Sequence, residues 1–447
     1  MRRWGLIGLA IAALAAGGFF LATRGSDDDR PGDGAANGTA AGERTDADGR
    51  TAGTTSSSGG TGGTPGPGST TTSPNGEATT GGSASTGAGL PPRRTGGEGG
   101  FAVGVWEYFL RDPDPAVARR KMGDARRAGF DSVIVQLFWA PGQRAPAANE
   151  VAELRNAGLA AREARVEPLV IVTHVGSRTT PRTARRRRDF AAYAAALVRA
   201  VPEFRDVIVA NEPNLNRFWL PQFGPGGENV AARDYLALLA ATYDALKAVS
   251  SEIRIIGGAL APRGGDDPSS SRHTHSPTAF IRDLGRYYRA SGRDRPVMDA
   301  FAHHPYLESS RVPPSFAHPQ TTTIALADYR KLVALLGEAF DGTAQRGSKI
   351  PIIYTEYGVQ TRIPPKKTGV YTNLSSPAAA DAVSEAMQGR YYRQAMAIAC
   401  RQPTVVGLYV FHVWDEPDLL GWQSGSYYAD HTPKSSRDAL ANLRSCR

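Results

Sequence analysis

From Phe101 onward the chain alternates between short apolar runs and longer Ala- and Arg-rich stretches. The short runs are rich in β-branched residues and predict strands, whereas stretches such as 116–128, 190–201 and 235–249 predict helices. The predicted strands cover residues 103–108, 132–138, 168–174, 207–211, 253–258, 297–304, 350–356 and 405–412. Strands and helices in this alternation predict an α/β fold, a single (β/α)8 TIM barrel over residues 101–447.

The first hundred residues have a different composition. Arg2 and Arg3 precede an apolar run from Trp4 to Ala22, so we expect residues 1–24 to be a signal peptide or, if uncleaved, a membrane anchor. Residues 25–100 are mainly Gly, Ser, Thr, Asp and Pro and cannot bury enough apolar surface to fold, which predicts a disordered linker. Either interpretation predicts a secreted or membrane-tethered protein outside the cytoplasm.

The chain carries a formal net charge of +9. The four arginines at 185–188 open a predicted helix and are expected to form a solvated face, with attraction to an acidic polymer or a lipid surface as the alternative. Aromatic residues do not interleave with them and no zinc-finger spacing occurs, so a nucleic-acid partner is not expected. Without a phosphate-binding glycine loop or a zinc-protease motif, we expect no cofactor and no metal, and we expect a monomer.

The chain has two cysteines, Cys400 and Cys446. Cys400 ends the predicted helix before the last strand, so a disulfide between them would fasten the C-terminal segment to the barrel. Two buried free thiols are the alternative.

Two glutamates follow predicted strands. The fourth strand stops at the sequence Asn-Glu-Pro-Asn, which places Glu212 at its C-terminal end, and the seventh strand ends at Glu356. Active sites of (β/α)8 barrels form at this end of the strands. Glycosidic cleavage requires two carboxyl groups, one that protonates the leaving oxygen and one that attacks or activates water.

Asn211-Glu212-Pro213, together with Glu356, resembles the retaining (β/α)8 glycoside hydrolases of clan A, particularly members of family 39 or family 5. The resemblance implies that Glu212 is the general acid/base and Glu356 the nucleophile, and that Asn211 hydrogen-bonds the 2-hydroxyl of the sugar. One position departs from family 39, since Ala210 stands where an aromatic residue usually precedes the Asn.

The resemblance also implies that His304 or Tyr306, which follow the sixth strand, hydrogen-bonds near the nucleophile. His174, at the end of the third strand, resembles a sugar-contacting histidine. A structural role in the core is the alternative for both histidines. His303 and His304 are adjacent on a strand and point to opposite faces, so they are poor joint metal ligands.

Tryptophans concentrate at the predicted C-terminal strand ends and in the loops that follow. Sugars stack their apolar faces on indole rings, so this placement predicts a carbohydrate groove. The tryptophans concerned are Trp106, Trp139, Trp219, Trp414 and Trp422. The acidic cluster at 415–418 is expected to be a solvated loop, with a rival catalytic carboxylate or a calcium ligand as alternatives.

These features predict a retaining glycoside hydrolase that cleaves an extracellular poly- or oligosaccharide by double displacement. Two alternatives use the same barrel. One is a catalytically silent domain that binds polysaccharide, and the other is a transglycosylase that passes the sugar to an acceptor other than water.

Overall fold

The structure, a computed structural model, describes residues 100–375 and 380–441. Eight strands in this range form one closed, all-parallel barrel in chain order. They are β1 (Ala102–Trp106), β2 (Ser132–Trp139), β3 (Glu167–His174), β4 (Asp206–Val209), β5 (Arg254–Leu260), β6 (Ala300–His303), β7 (Ile352–Tyr357) and β8 (Val405–Phe411). β8 pairs with β1 and closes the ring, so the predicted TIM barrel is confirmed.

Helices connect consecutive strands and cover the outside of the barrel. They are α1 (Pro115–Arg127), α2 (Ala148–Glu163), α3 (Ala184–Ala200), α4 (Val230–Lys247), α5 (Pro277–Ala290), α6 (Tyr329–Phe340) and α7 (Glu385–Ala399), followed after β8 by α8 (Arg437–Ala441). Each parallel connection therefore contains a helix, as the alternating pattern predicts.

Side-chain caps fix where several helices begin. Asp114, Thr183 and Ser276 each accept a hydrogen bond from a backbone N–H in the first turn of the helix that follows. The arginine run at 185–188 lies directly after the Thr183 cap, so it begins a helix as predicted. Arg185 and Arg188 are exposed, in agreement with the predicted solvated face.

Alternate strand residues build two core layers. Ile134, Leu169, Ile208 and Ile256 fill the barrel interior, while the residues between them pack against the helices. Gly104 permits one close approach inside the barrel, because a Cβ at this position would lie 2.2 Å from the ring of Tyr409. The interior is therefore a packed core beneath the C-terminal strand ends.

Several predicted features fall on other parts of the chain. The predicted signal segment, the linker up to residue 99 and Cys446 lie outside the described residues. Cys400 directly follows α7, and its disulfide with Cys446 stays a prediction. Across residues 100–375 and 380–441, no helix is long and apolar enough to cross a membrane.

Candidate active site

Glu212 lies just beyond the end of β4. The chain leaves the strand after Val209 and passes through two non-glycine residues with left-handed backbones, Ala210 (φ 62°) and Glu212 (φ 39°). Each left-handed non-glycine residue costs about 1–2 kcal/mol. Backbone hydrogen bonds to the neighbouring strands maintain the turn, from Ala210 N to Val172 O and from Glu212 N to Ala259 O, both 2.9 Å. The flanking strands therefore fix the position of this carboxylate.

Glu356 lies at a β-bulge in β7. The register between β7 and β8 shifts between Tyr354 and Tyr357, so β7 contains an extra residue there. Both tyrosines consequently pack in the outer core layer, although they are three positions apart. Glu356, between them, contacts Tyr306 and His304 instead. The bulge redirects this carboxylate toward the mouth of the barrel.

His304 bridges the two glutamates. Its Nδ1 lies 2.9 Å from Glu212 Oε1 and 3.5 Å from Glu356 Oε1. The Tyr306 hydroxyl donates a hydrogen bond of 3.0 Å to the other oxygen, Glu356 Oε2. Glu212 is 5% exposed, whereas Glu356 and His304 are fully buried. The structure thus brings together four residues that the sequence reasoning had placed at the site.

Burial and mutual charge set the ionisation of this group. Burial raises the pKa of Glu356 to about 7, and the charge of Glu212 adds to the rise, whereas His304 and the Tyr306 hydroxyl oppose it. Burial alone would lower the pKa of His304, but the two carboxylates outweigh it and raise that pKa. Burial and the charge of Glu356 raise the pKa of Tyr306 well above 10, so its hydroxyl remains a donor.

Glu107 and His412 form a second buried acid–histidine pair, which the sequence reasoning missed. Glu107 Oε1 lies 3.6 Å from His412 Nδ1, and Glu107 Oε2 accepts a hydrogen bond of 2.9 Å from Val413 N. Burial tends to raise the pKa of Glu107, but the net shift is downward because of His412. The positive charge of His412 also lowers the pKa of Glu356. Both residues directly follow a strand in the structure, whereas the predicted strands at 103–108 and 405–412 contained them, so the strand-end rule did not single them out.

Asn211 and His174 have unused hydrogen-bonding atoms. Asn211 Oδ1 and His174 Nε2 are buried and have no hydrogen-bond partner among the described residues. The other ring nitrogen of His174 lies 2.9 Å from Gly176 O, and burial lowers the pKa of this histidine to about 4. His174 is therefore neutral at pH 7. Sugar contact by these two side chains stays a prediction.

Three of the five tryptophans belong to the outer core layer, and the full burial of Trp139 and Trp219 corrects the predicted carbohydrate groove for these two. Trp139 and Trp219 are fully buried against the helix layer, where they pack on Phe190 of α3 and Tyr235 of α4. Trp414 also belongs to this outer core layer but is 6% exposed, and its contact with a sugar stays a prediction. For Trp139 the reason is the two-residue period of a strand. Its side chain shares the outward face of β2 with the residues two, four and six positions before it.

The other two tryptophans lie on the inner side. Trp106 packs edge-on against His304 with ring centroids 5.9 Å apart, and Trp422 packs on Tyr306 at 5.1 Å. Both also contact Phe411. They are 1% and 6% exposed, so little of either ring is open to a substrate.

The acidic cluster at 415–418 is fastened within its loop. The Asp415 carboxylate bonds the buried Lys434 ammonium at 2.7 Å and accepts a 2.8 Å hydrogen bond from the Tyr371 hydroxyl. Glu416 and Asp418 accept hydrogen bonds from backbone N–H groups of the same loop at 2.6 and 2.8 Å. Asp415 and Glu416 are buried, so the expectation of a solvated loop is wrong for them. Neither alternative role, catalytic carboxylate or calcium ligand, matches carboxylates that are held by a lysine and by backbone amides.

Within the described part of the chain, one group of side chains has the spacing of a metal centre. One atom each from Glu212, His304 and Glu356 lies within 4.8 Å of the others. Two carboxylate oxygens and one imidazole nitrogen form a donor set that first-row divalent metals accept. The same proximity lets the three groups share protons, which is the chemistry of an acid/base pair.

Neither a protein-family model nor a curated protein matches the sequence. Solved structures match at low identity. A family 39 glycoside hydrolase from the gut symbiont Bacteroides cellulosilyticus WH2 is 20% identical, with a TM-score of 0.53, and the match covers 77% of this chain and 63% of that one. The GH53 catalytic domain of Ignisphaera aggregans is 14% identical with a TM-score of 0.50, and the match covers 77% of this chain and 96% of that one.

At such identities the likeness establishes the fold. The chain spans less than two thirds of the length of the family 39 structure that it matches. The resemblance to (β/α)8 glycoside hydrolases, first indicated by the residues at 211–213 and 356, is therefore confirmed at the level of the barrel.

Proposed function

We propose that this protein is a retaining glycoside hydrolase that cleaves a poly- or oligosaccharide outside the cytoplasm. The observation that carries the proposal is the spacing of the two glutamates, whose nearest ligand atoms lie within 4.8 Å of each other and of His304 Nδ1. Carboxyl groups about 5–5.5 Å apart favour double displacement, whereas inversion needs about 6.5–9.5 Å to admit a water. The 4.8 Å limit applies to one oxygen of each glutamate rather than to the whole carboxyl groups, and it is nearer to the retaining range than to the inverting one.

In the proposed first step, a Glu356 oxygen attacks the anomeric carbon as the bond to the leaving oxygen breaks. Glu212 donates its proton to that oxygen, and a covalent glycosyl-enzyme results. In the second step, Glu212 removes a proton from water, and the resulting hydroxide displaces Glu356 and releases the sugar with its original configuration.

The productive state therefore needs an ionised Glu356 and a proton on Glu212. The hydrogen bond from the Tyr306 hydroxyl favours the ionised form of Glu356, since it is donated to the carboxylate. His304 Nδ1 contacts both glutamates, so it is placed to pass a proton between them. Asn211 Oδ1, which lacks a partner among the described residues, is a suitable acceptor for the 2-hydroxyl of the reacting sugar.

Replacement of the nucleophile tests the proposal. We expect Glu356→Gln to lower kcat on an activated aryl glycoside at least about 10³-fold while the melting temperature stays within a few degrees of wild type. The matched control is Glu416→Gln, a buried carboxylate in the β8 loop, which should keep activity within a few-fold. Proton NMR of the first product anomer tests the stereochemistry. Near-normal turnover by Glu356→Gln, or an inverted product, would refute the mechanism.

A catalytically silent, polysaccharide-binding barrel is the second candidate. It is favoured by the low exposure of the two glutamates, 5% for Glu212 and 0% for Glu356, which leaves little surface for a substrate. Purified domain that binds a polysaccharide in a panel without releasing reducing ends supports this candidate. A transglycosylase is distinguished by its products. It would transfer the sugar to an added sugar acceptor and form longer products, and it would release little free sugar.

We propose that the domain works in the extracellular space or at the cell surface, either secreted or tethered to the membrane by residues 1–24. The support is the positive and then apolar sequence at the start of the chain and the Gly-, Ser- and Thr-rich segment that follows it. Protease treatment of intact cells, followed by detection of the barrel, tests this location. A barrel that is protected in the cytosolic fraction contradicts it.

A further inference from the structure

An open groove with an arginine lining lies between the first turns of α3 and α4. We call it the arginine groove, and its volume is about 810 Å³. Two of its seven described lining residues are Thr183, which caps α3, and Asp234 of α4. The other five are Arg182, Arg185, Arg186, Arg187 and Arg233. The groove therefore combines the arginine run at 185–188 with arginines from the preceding loop and from α4.

Most of the positive charge in the arginine groove is not neutralised by the protein. Asp234 is the one carboxylate among the described lining residues, and it pairs with both Arg187 at 3.8 Å and Arg233 at 3.3 Å. Asp189, the next carboxylate on α3, pairs with Arg144 instead. Three lining arginines form no ion pair with any carboxylate of residues 100–375 and 380–441. They are Arg182, Arg185 and Arg186.

These three side chains are open to a ligand. Arg182 and Arg185 are exposed, and Arg186 is partly exposed. Each guanidinium group can bind a carboxylate, sulfate or phosphate group through two parallel hydrogen bonds. A concave surface that carries charge of one sign also concentrates counter-ions from solution. The arginine groove is therefore suited to a partner that carries several negative charges in a row.

The arginine groove lies at the end of the barrel that carries the catalytic pair. The loop that leads into α3 begins after His174, and the loop that leads into α4 carries Glu212. Thr180 Oγ1 accepts a hydrogen bond of 3.2 Å from Leu220 N, and the ring of His174 packs edge-on against Trp219 at 5.5 Å. These contacts join the two loops, so a polymer in the groove would lie beside the mouth of the barrel.

Shape and lining favour an acidic sugar polymer over a lipid surface or a nucleic acid. A groove between two helices accommodates an extended chain, whereas a bilayer presents a broad, flat surface. None of the seven described lining residues is aromatic, so a nucleic-acid base would have no ring to stack on. The candidate glycosidase site at the same end of the barrel also favours a sugar polymer.

We propose that the arginine groove binds an acidic polysaccharide, whose carboxylate or sulfate groups pair with Arg182, Arg185 and Arg186. The choice of a sugar polymer rests on the proposed glycosidase function, whereas the pairing with anions does not. The bound polymer is held at the rim of the barrel, outside the group formed by the two glutamates and His304.

The test measures binding of the purified protein to polygalacturonate, which carries carboxylates, and to dextran sulfate, with unmodified dextran as the neutral polymer. The groove variant combines Arg182→Gln, Arg185→Gln and Arg186→Gln. We expect it to bind the preferred acidic polymer about ten- to hundredfold more weakly than wild type at low salt. Wild-type binding should weaken steeply between about 50 and about 300 mM NaCl, and dextran should not bind.

The matched control removes three exposed arginines from the opposite side of the barrel, in α7 and directly after it. It combines Arg390→Gln, Arg393→Gln and Arg401→Gln, so it has the same net charge as the groove variant. The control should bind like wild type, and both variants should melt within a few degrees of it. An equal loss of binding in both variants overturns the inference, and so does a wild-type protein that binds neither acidic polymer.

Two further probes examine the other partners. They are vesicles of phosphatidylglycerol with phosphatidylcholine, and duplex DNA. If the groove variant loses more affinity for either of these than for the acidic polysaccharides, the choice of a sugar polymer is overturned. Failure of the proposed function is a separate result, because binding is measured without turnover. A protein that binds the acidic polymer through the groove and hydrolyses no glycoside refutes the glycosidase and supports the groove.

Discussion

The Tyr306 hydroxyl donates a hydrogen bond that favours the ionised form of Glu356. In wild type this hydrogen bond lowers the pKa of Glu356. Tyr306→Phe removes the hydrogen bond. The pKa of Glu356, already raised by burial to about 7, should therefore rise further in Tyr306→Phe. Since the nucleophile must be ionised, we expect the acid limb of the kcat/KM profile to move to higher pH by roughly half to one unit.

The control for this prediction is Tyr354→Phe, which removes an equivalent buried hydroxyl from β7. The Tyr354 hydroxyl bonds Gln402 Oε1 at 2.7 Å in the outer layer, away from the glutamates. This variant should lose about 1 kcal/mol of stability and keep the wild-type pH profile. The test is the kcat/KM profile of both variants from pH 4 to 9. An acid limb of Tyr306→Phe that is unchanged or lies at lower pH contradicts the role assigned to the Tyr306 hydroxyl.

At the residue scale, the sequence correctly predicts those site residues whose position follows from a single rule. Glu212 and Glu356 follow apolar runs, and the rule that strand ends carry the site was sufficient to find them. The prediction for Trp139 was wrong because it considered only the position of this residue near the barrel mouth. The two-residue period of the strand directs its side chain outward. The inward turn of Glu356 depends on a bulge, which no residue pattern at 352–357 indicated.

The loop after β8 is held by a buried ion pair, Asp415 with Lys434, which are 3% and 2% exposed. The same ammonium also donates to Thr361 Oγ1 at 2.7 Å and to Gln423 O at 3.0 Å. One cation therefore joins the loops after β7 and β8 with the segment before α8.

We expect Lys434→Met to lower the free energy of unfolding by about 3–5 kcal/mol, because it leaves the Asp415 carboxylate buried without its cation. Burial raises the pKa of Asp415 and Lys434 opposes the rise, so this pKa should climb further in the variant. The loss should then shrink as the pH falls and Asp415 becomes protonated. Urea denaturation at pH 5 and pH 8 measures both effects, with Asp415→Asn added to Lys434→Met as the rescue.

A Lys434→Met protein as stable as wild type would show that the pair contributes little. An equal loss of stability at both pH values would contradict the assigned cause.

The ion pair that holds this loop could not be predicted from the sequence. The acidic residues at 415–418 looked like a solvated turn, because their cation lies 19 positions away and only the fold brings it near.

The whole molecule contains histidines that burial keeps neutral. His303 points outward from β6 and its Nε2 bonds Ile324 O at 2.7 Å, while the next residue, His304, faces the glutamates. The prediction that adjacent histidines face opposite sides is thus confirmed. Burial lowers the pKa of His303 to about 4, against the opposing effect of its bond to Ile324.

A base whose pKa is lower in the folded state than its ordinary 6.5 makes folding weaker as the pH falls. The unfolded chain takes up the proton below pH 6.5, and the folded protein does so only near pH 4. We expect wild type to lose up to about 3 kcal/mol of stability relative to His303→Gln between these values. Gln retains an N–H donor for Ile324 O, so guanidinium denaturation of both proteins at several pH values isolates the histidine.

Parallel stability curves for the two proteins would mean that the pKa of His303 is the same in the folded and unfolded states. At this largest scale the sequence was most informative, because eight apolar runs with helices between them allow few arrangements. The exact strand bounds moved by a few residues, as at β4, which ends at Val209 where the pattern suggested Asn211. Backbone strain at Ala210 ends that strand, and strain of this kind leaves no mark in hydrophobic periodicity.

The closure of the barrel between β1 and β8 has a consequence for biosynthesis. The hydrogen bond between Glu107 and Val413 joins residues 306 positions apart, and β1 pairs with β8 along its whole length. A ribosome finishes β1 long before β8, so the growing chain carries two open sheet edges for most of its synthesis. Such edges invite pairing with other chains. Glu107 meets His412 only when the seam closes, so the electrostatic setting of Glu356 is completed by the last strand to be made.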